Sequence, residues 1–163
     1  MERKMRRFKQ MLPREEVILI LSEATNGVLS LTDTDGCPYG VPLSFCYDGD
    51  KTVYFHSARH GRKMECITGN GRASFCVVAQ DDIKPKEFTT YFKSVILSGK
   101  ISVVDNPEEV TKGLRMLGEK YSPGIDSTDV IAHSLENVAV IKLEIEAMSG
   151  KEAIELTRNR AKK

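Results

Sequence analysis

Tryptophan is absent from this sequence, histidine occurs only three times, and the formal net charge is only +1. So small a net charge gives no whole-protein field that would attract nucleic acid, and we expect no nucleic-acid partner. No apolar run approaches the roughly 18 residues of a transmembrane helix. The basic N-terminus also lacks the apolar core of a secretion signal. The sequence therefore predicts a soluble, cytoplasmic protein that makes no membrane contact.

The four cysteines form no recognisable metal or redox motif. No C-x-x-C pair occurs, and three of them lie in or beside apolar runs, so we expect buried, reduced thiols. His56 and His60 are four residues apart, but a predicted strand end and turn separate them. They do not share one helix face, and no metal site is predicted. The cysteines are Cys37, Cys46, Cys66 and Cys76.

Familiar nucleotide-binding and hydrolase signatures are missing as well. No G-x-G-x-x-G follows a predicted strand, no G-x-x-x-x-G-K-[ST] is present, and no serine lies in a nucleophile elbow. The sequence therefore contains no motif that would indicate a common dinucleotide-binding site, a P-loop or an α/β-hydrolase site.

The length of 163 residues predicts one domain over 1–163, with 1–10 and 152–163 as peripheral tails. Basic residues gather in both tails, and two interpretations stay open. The tails are solvated, or one of them folds over an anionic ligand. The residues concerned are Arg3, Lys4, Arg6, Arg7, Lys9, Arg158, Arg160, Lys162 and Lys163.

Short strands joined by tight turns dominate the predicted secondary structure. Apolar alternation and Asp/Gly-rich turns mark the strands, while Pro or Asn followed by glutamates marks two helix starts. Six or seven mostly antiparallel strands predict a mainly β protein with inserted helices, a small barrel rather than an α/β sheet. The predicted helices cover 13–24, 62–68, 107–118 and 127–134, and the strands cover 28–32, 39–47, 52–56, 73–79, 87–104 and 141–146.

Local details refine this plan. Pro38 and Pro42 lack an N–H donor, so their strand is predicted to be an edge strand, bulged, or turned toward a ligand, and not a central strand. Residues 81–86 are predicted as a polar loop and 149–151 as the end of the last strand. Residues 87–104 are long enough for one bent strand or two paired strands, with the bend at Ser98-Gly99.

Residues 53–67 are the most informative stretch. They predict a strand, a turn, a glycine and then a short helix with Arg62 and Lys63 in its first turn. A helix start carries unpaired N–H groups and the positive end of the dipole, and two cations add full charges. The stretch therefore predicts an anion site, although the same two cations are also compatible with an ordinary solvated helix.

Three segments in order carry a wider pattern. They are 36–45 (GCPYGVPLSF), 54–63 (YFHSARHGRK) and 88–101 (FTTYFKSVILSGKI), with Ser149-Gly150-Lys151 later in the chain. Together they resemble the flavin-binding members of the pyridoxamine 5′-phosphate oxidase-like superfamily, and within it the nitroimidazole-resistance (Nim-type) flavin-nucleotide-binding group. The resemblance covers about residues 10–120.

The resemblance implies an antiparallel split β-barrel of six to seven strands, of the FMN-binding type, and a homodimer with the flavin near the subunit interface. It implies FMN, or sometimes FAD, as cofactor. The residue roles that it implies are as follows. The isoalloxazine edge would lie along Val41, Pro42, Leu43 and Ser44, and the other side of the ring would be closed by Tyr91, Ser94 and Val95. The ribityl and phosphate end would be lined by His56, Ser57 and Ala58. The phosphate itself would be held by Gly61, Arg62 and Lys63.

The leading functional hypothesis is a flavin-dependent oxidoreductase that passes electrons from NAD(P)H to small electron-poor substrates such as nitroaromatics or quinones. His56 is the one side chain of the motif suited to donate a proton near neutral pH, and it is the candidate catalytic residue. Two alternatives stay open: a non-catalytic flavin carrier or sensor, and a split barrel that binds haem or a deazaflavin.

Overall fold

The computed structural model describes residues 5–161 of the chain, so Arg3, Lys4, Lys162 and Lys163 of the basic tails lie outside the described residues. Within this range are seven strands, five α-helices and two short 3₁₀ helices. The strands are β1 (Asn26–Thr32), β2 (Pro38–Ser44), β3 (Cys46–Tyr47), β4 (Thr52–Ala58), β5 (Arg72–Lys84), β6 (Thr89–Val103) and β7 (Val138–Glu152). The α-helices are α1 (Arg14–Glu23), α2 (Arg62–Gly69), α3 (Pro107–Tyr121), α4 (Thr128–Ser134) and α5 (Ile154–Arg160), and the 3₁₀ helices cover Phe8–Gln10 and Pro85–Glu87.

All seven strands form one antiparallel sheet in the order β2-β1-β5-β6-β7-β4-β3. The two edge strands, β2 and β3, are joined by the single residue Phe45, so the sheet has to curl until its edges meet. This closure makes the sheet a barrel that is split between β2 and β3. The predicted mainly β split barrel of six to seven strands is confirmed, and the number of strands is seven.

Phe45 also corrects one prediction. Residues 39–47 were expected to form one strand, but the chain changes from one sheet edge to the other at Phe45. The Phe45 side chain is fully buried and packs edge-on against Phe75 at a centroid distance of 4.9 Å, and Phe55 packs on Phe75 at 5.0 Å. Burial of this aromatic cluster holds the crossover in place.

Alternation along the strands separates the barrel interior from its outer face. Leu29 and Leu31 of β1 are buried while Val28 and Ser30 are exposed, and Val95 and Leu97 of β6 are buried while Ile96 is exposed. Side chains of successive residues point to opposite sides of a strand, so this pattern places one row in the core and the other outside. The core lies inside the barrel, with α1 and α2 packed against it.

The local predictions for the long strands had mixed outcomes. The proline-bearing strand β2 is an edge strand, as predicted, and the register of β6 shifts at Ser98–Gly99, where a bend was predicted. The predicted loop over 81–86 is wrong, because β5 continues to Lys84 and pairs with β6 as far as Thr89. Residues 81–83 are exposed and Lys84 is half-buried, so the polar side chains remain solvated while the main chain stays paired.

The end of β7 also differs from the prediction. The strand runs through 149–151 to Glu152 instead of ending there. Gln10 and Glu152, at the boundaries of the expected tails, are both buried, and the Gln10 side chain donates to the Glu152 carbonyl at 2.9 Å. Residues following Glu152 form α5, for which the sequence offered no apolar periodicity.

The helices begin where their sequence signals indicated. The Asn106 side chain accepts hydrogen bonds from the N–H groups of Glu108 and Glu109 at 2.9 and 3.0 Å, which fixes the start of α3. Glu109 then accepts from Tyr54 and Lys142, both at 3.0 Å, and joins α3 to the outer faces of β4 and β7. Within residues 5–161, no helix has both the length and the apolar character that crossing a membrane would require.

All four cysteines are free thiols. Cys46 and Cys66 are buried and Cys76 is half-buried, in line with the expectation for thiols in apolar runs, whereas Cys37 in its turn is exposed. Burial raises the pKa of Cys46 to about 11, so this thiol is protonated and unreactive near neutral pH.

Candidate functional site

Strand β4 leads into α2 through a turn that ends at Gly61. Gly61 has a φ of +114°, which favours glycine, and its carbonyl accepts the N–H groups of Met64 and Glu65 at 2.9 and 3.2 Å. The N–H groups that precede these in the first turn are left without helical partners. The strand–turn–helix arrangement predicted for residues 53–67 is confirmed, and the helix start is exposed to solvent.

Arg62 is already engaged within the chain. Its Nη2 donates to Asp33 Oδ2 at 2.9 Å, and its guanidinium lies 4.4 Å above the centroid of the Tyr39 ring. The hydrogen bond from Arg62, helped by the N–H of Cys37, holds the pKa of Asp33 below its ordinary value. The β1–β2 turn and the start of α2 are thereby joined.

Lys63 has a different environment. It is half-buried at the start of α2, and burial lowers the pKa of its ammonium group. Neither a carboxylate nor a hydrogen-bond acceptor contacts this ammonium group within residues 5–161. A cation held this way has lost part of its hydration without gaining a partner, and an anion supplied from outside would stabilise it.

Arg59, the third cation of this stretch, contacts a helix end instead. Its Nε donates to the Glu136 carbonyl at 2.7 Å and its Nη2 donates to the Leu135 carbonyl at 2.6 Å. Carbonyls at a helix C-terminus lack intrahelical partners and carry partial negative charge. Arg59 therefore ties the end of α4 to the loop after β4, and it is not directed toward an external anion.

The first predicted segment lies along the edge of the barrel. As an edge strand, β2 leaves alternate main-chain N–H and C=O groups unpaired on one side. Val41 and Leu43 face inward and pack against the core, whereas Pro42 and Ser44 are exposed on the outer face. Tyr39, at the opposite end of the strand from Ser44, lies under Arg62.

The second segment continues this outer surface on β4. His56 and Ala58 are exposed on the outer face, and Ser57 between them is buried. Because Phe45 closes the barrel, β2 and β4 approach each other, so the outer faces of both strands border one groove. Ser44 and His56 lie together at one end of this groove, and Arg62 and Lys63 follow the other end of β4, beyond Ala58. The structure thus brings the first two predicted segments together.

The third segment is not brought to this groove within one chain. Strand β6 is separated from β2 by β1 and β5, and from β4 by β7. Three strand spacings of ~4.8 Å separate Ser94 from Ser44 along the curved sheet, a path of about 14 Å. Val95 is fully buried in the core, and Tyr91 lies on the same strand face as Val95, opposite to Ser94. Of these three side chains, only Ser94 lies on the outer face.

Some residues of the site carried no usable sequence signal. Tyr121, at the end of α3, accepts the Phe45 N–H at 2.8 Å through its hydroxyl, which also contacts the carbonyls of Thr25 and Phe45. This contact fixes α3 beside the barrel closure. Asp33 belonged to a predicted turn, and its turn motif alone did not indicate that it would bind Arg62.

The chain is thus a small split antiparallel barrel with a basic, solvent-exposed helix start after strand β4. The family model described as pyridoxamine 5′-phosphate oxidase matches residues 13–152, and the chain belongs to this family. The family resemblance inferred from the three segments is therefore confirmed. A search of curated proteins found no match.

Solved structures share the fold over most of the chain. A proposed 5-nitroimidazole antibiotic resistance protein from Bacteroides thetaiotaomicron is 24% identical, with a TM-score of 0.76, covering 87% of this chain and 86% of that one. An FAD-binding protein from Mesorhizobium loti is 25% identical, with a TM-score of 0.61, covering 88% and 96%. A flavocytochrome from Azotobacter vinelandii is 21% identical, with a TM-score of 0.74, covering 92% and 72%.

Proposed function

We propose that this protein binds a flavin nucleotide, FMN or alternatively FAD, in the groove between β2 and β4. The phosphate would lie at the start of α2, where Gly61 and Lys63 offer N–H groups and a cation. The ring would lie toward Ser44 and His56, against the unpaired edge of β2, so His56 would lie at the ring end instead of the ribityl and phosphate end that the family resemblance implies. The names of the Mesorhizobium protein and of the Azotobacter flavocytochrome support a flavin in this fold.

The observation that carries this proposal is the half-buried, unpartnered ammonium group of Lys63. Burial lowers its pKa, and no described side chain compensates for the lost hydration. A phosphate at this helix start would supply the missing negative charge and would also accept from the first-turn N–H groups. Arg62 contributes a second positive charge nearby, although Asp33 already shares it.

A second copy of the chain would complete the site. Four cross-strand neighbours form an apolar row on the outer face: Pro42, Val28, Cys76 and Ile96. Val28 and Ile96 are 42% and 49% exposed, and Val78 beside them is 64% exposed. Apolar surface of this kind favours association.

Ser94 is two residues from Ile96 on the same face. A homodimer packed on this face would therefore bring segment three of one copy toward the groove of the other. The separation of segment three from the groove within one chain supports this arrangement. It also supports the expected location of the flavin near the subunit interface.

We propose further that the protein is an oxidoreductase acting on small electron-poor substrates, with NAD(P)H as the electron donor. A bound flavin supplies the electron-transfer chemistry, and the chain binds it, orients it and excludes water. Unpaired main-chain groups on the edge of β2 would hydrogen-bond the ring edge, and His56, which is exposed at the ring end of the groove, would donate a proton.

The absorption spectrum of freshly purified protein, with mass identification of the released cofactor, tests the binding proposal. The expected result is a flavin spectrum and the mass of FMN or FAD. A colourless preparation that takes up no added FMN contradicts the proposal, and a haem spectrum identifies the alternative cofactor. Turnover of NAD(P)H with nitroaromatics and quinones then tests the reductase, because a carrier would reduce them no faster than free flavin.

A further inference from the structure

A second cavity borders the ring end of the groove. Helices α3 and α4 stand off the outer face of β4 and enclose a volume of about 500 Å³, here called the α3–α4 pocket. Leu114 and Leu117 of α3 and Val130 and Ile131 of α4 contribute apolar side chains to its wall. Ser44 and His56 line it as well, so the pocket and the groove share these two residues.

The walls of the α3–α4 pocket contain no lysine, arginine, aspartate or glutamate. The cleft between α1 and the β5–β6 hairpin differs, since Glu16, Glu23 and Lys93 line it. Arg59 reaches α4, but its guanidinium is hydrogen-bonded to the carbonyls that follow the helix. An anion entering the pocket would lose hydration without meeting a fixed positive charge, which is unfavourable.

Hydrogen-bonding groups are nevertheless present. The side chains of Ser44, His56 and Ser127 line the pocket, and none of them has a side-chain hydrogen bond within residues 5–161. The hydroxyls of Ser134 and Tyr121 also line it but already bond to main-chain groups. The pocket is therefore apolar with a few available polar groups, which suits a small organic ligand bearing oxygen acceptors.

We infer that the α3–α4 pocket binds the organic substrate and selects an uncharged molecule with oxygen acceptors, such as an uncharged nitroaromatic compound. Anionic analogues and phosphate esters, including pyridoxamine 5′-phosphate, are disfavoured there. The inference rests on the proposed function, because Ser44 and His56 connect the pocket to the flavin groove. It goes further by locating the substrate and setting its charge.

Two probes that share the same ring but differ in net charge measure the effect of ligand charge on binding. Calorimetric titration of the protein as purified, without electron donor and at a mildly alkaline pH, compares 4-nitrobenzyl alcohol with 4-nitrobenzoate. The alcohol should bind roughly tenfold or more tightly, because the carboxylate loses hydration without compensation. Pyridoxamine 5′-phosphate should bind no better than the benzoate. Equal affinities, or tighter binding of the benzoate, would overturn the inference.

A charge introduced into the pocket provides the variant test. Val130→Arg places a cation in the wall at a position that is largely exposed, so the fold should tolerate it. It should shift the preference toward 4-nitrobenzoate by roughly tenfold. Ala132→Arg adds the same charge to an exposed position of α4 outside the wall and should leave the preference unchanged. Circular dichroism and thermal unfolding verify that both variants fold. The inference fails if the two variants behave alike.

The two proposals fail in different ways. If FMN does not bind while the alcohol preference and its reversal by Val130→Arg persist, the flavin proposal fails and the pocket selectivity stands. If FMN binds but the preference is absent, only the pocket inference fails. Displacement of the alcohol by added FMN would show that the pocket belongs to the cofactor site, and this too would overturn the inference.

Discussion

Arg62 donates to Asp33 at 2.9 Å, whereas the next residue, Lys63, contacts no carboxylate within residues 5–161. The two cations looked equivalent in the sequence, but the structure gives them different environments. Arg62 is exposed, already paired and stacked on Tyr39, and Lys63 is half-buried and lacks an acceptor. We therefore expect Lys63 to contribute more than Arg62 to holding a phosphate.

Replacement of Lys63 by alanine should weaken FMN binding by about 1.5–3 kcal/mol, the usual loss for a charge-assisted hydrogen bond. Riboflavin, which has no phosphate, should bind almost as before. Fluorescence titration of the apoprotein measures both affinities. Lys51→Ala, which removes an exposed lysine in the β3–β4 turn, is the control and should change neither. Equal losses for FMN and riboflavin would show that Lys63 does not contact the phosphate.

Asp33→Asn should remove a stabilising contribution that depends on pH. Folding lowers the pKa of Asp33. The ionised carboxylate therefore stabilises the folded wild type fully above the ordinary carboxyl pKa, and this contribution is lost as the pH falls through the lower pKa of the folded state. The melting temperatures of wild type and variant should therefore differ at neutral pH and converge in acid. Asp35→Asn, in the same turn, should show no such convergence. A constant difference across the pH range would contradict the role of the Arg62 contact.

Tyr121→Phe should destabilise the barrel closure. The variant leaves the Phe45 N–H without its acceptor at the point where β2 becomes β3. An unsatisfied, partly buried N–H costs about 1–3 kcal/mol, which urea unfolding can measure. Tyr91→Phe removes a hydroxyl that donates to exposed Glu87 and should leave the free energy of unfolding nearly unchanged. Similar losses in both variants would argue against a special role for Tyr121.

Gly99→Ala should destabilise the protein by more than about 2 kcal/mol, since an added methyl group would overlap the Glu144 main chain at the bend of β6. Gly71→Ala is the matched control, because its methyl group would lie 3.6 Å from the nearest atom, the Ile101 carbonyl oxygen. Its effect should stay within about 0.5 kcal/mol. Denaturant unfolding of both variants measures the difference. A tolerated Gly99→Ala would mean that the bend can relax.

Features with a local cause were predicted well. Pro42 cannot donate to a ladder, and its strand is an edge; Asn106 caps α3 through its own side chain; the bend at Ser98–Gly99 follows from a glycine within a long strand. Predictions failed where distant contacts decide the outcome. Phe45 interrupts an apparently continuous strand because its aromatic ring is buried against Phe75. The polar residues 81–84 remain a strand because β6 supplies main-chain partners.

The candidate site divides in the same way. The strand, turn, Gly61 and two cations of residues 53–67 depend on neighbouring residues, and the sequence alone determined them, together with the mainly β class and the family resemblance. Tertiary structure alone decided that Asp33 engages Arg62, that Arg59 holds α4, and that Ser94 lies across the sheet from the groove. These contacts join residues far apart in the chain, and sheet closure, which no local pattern encodes, brings them together or keeps them apart.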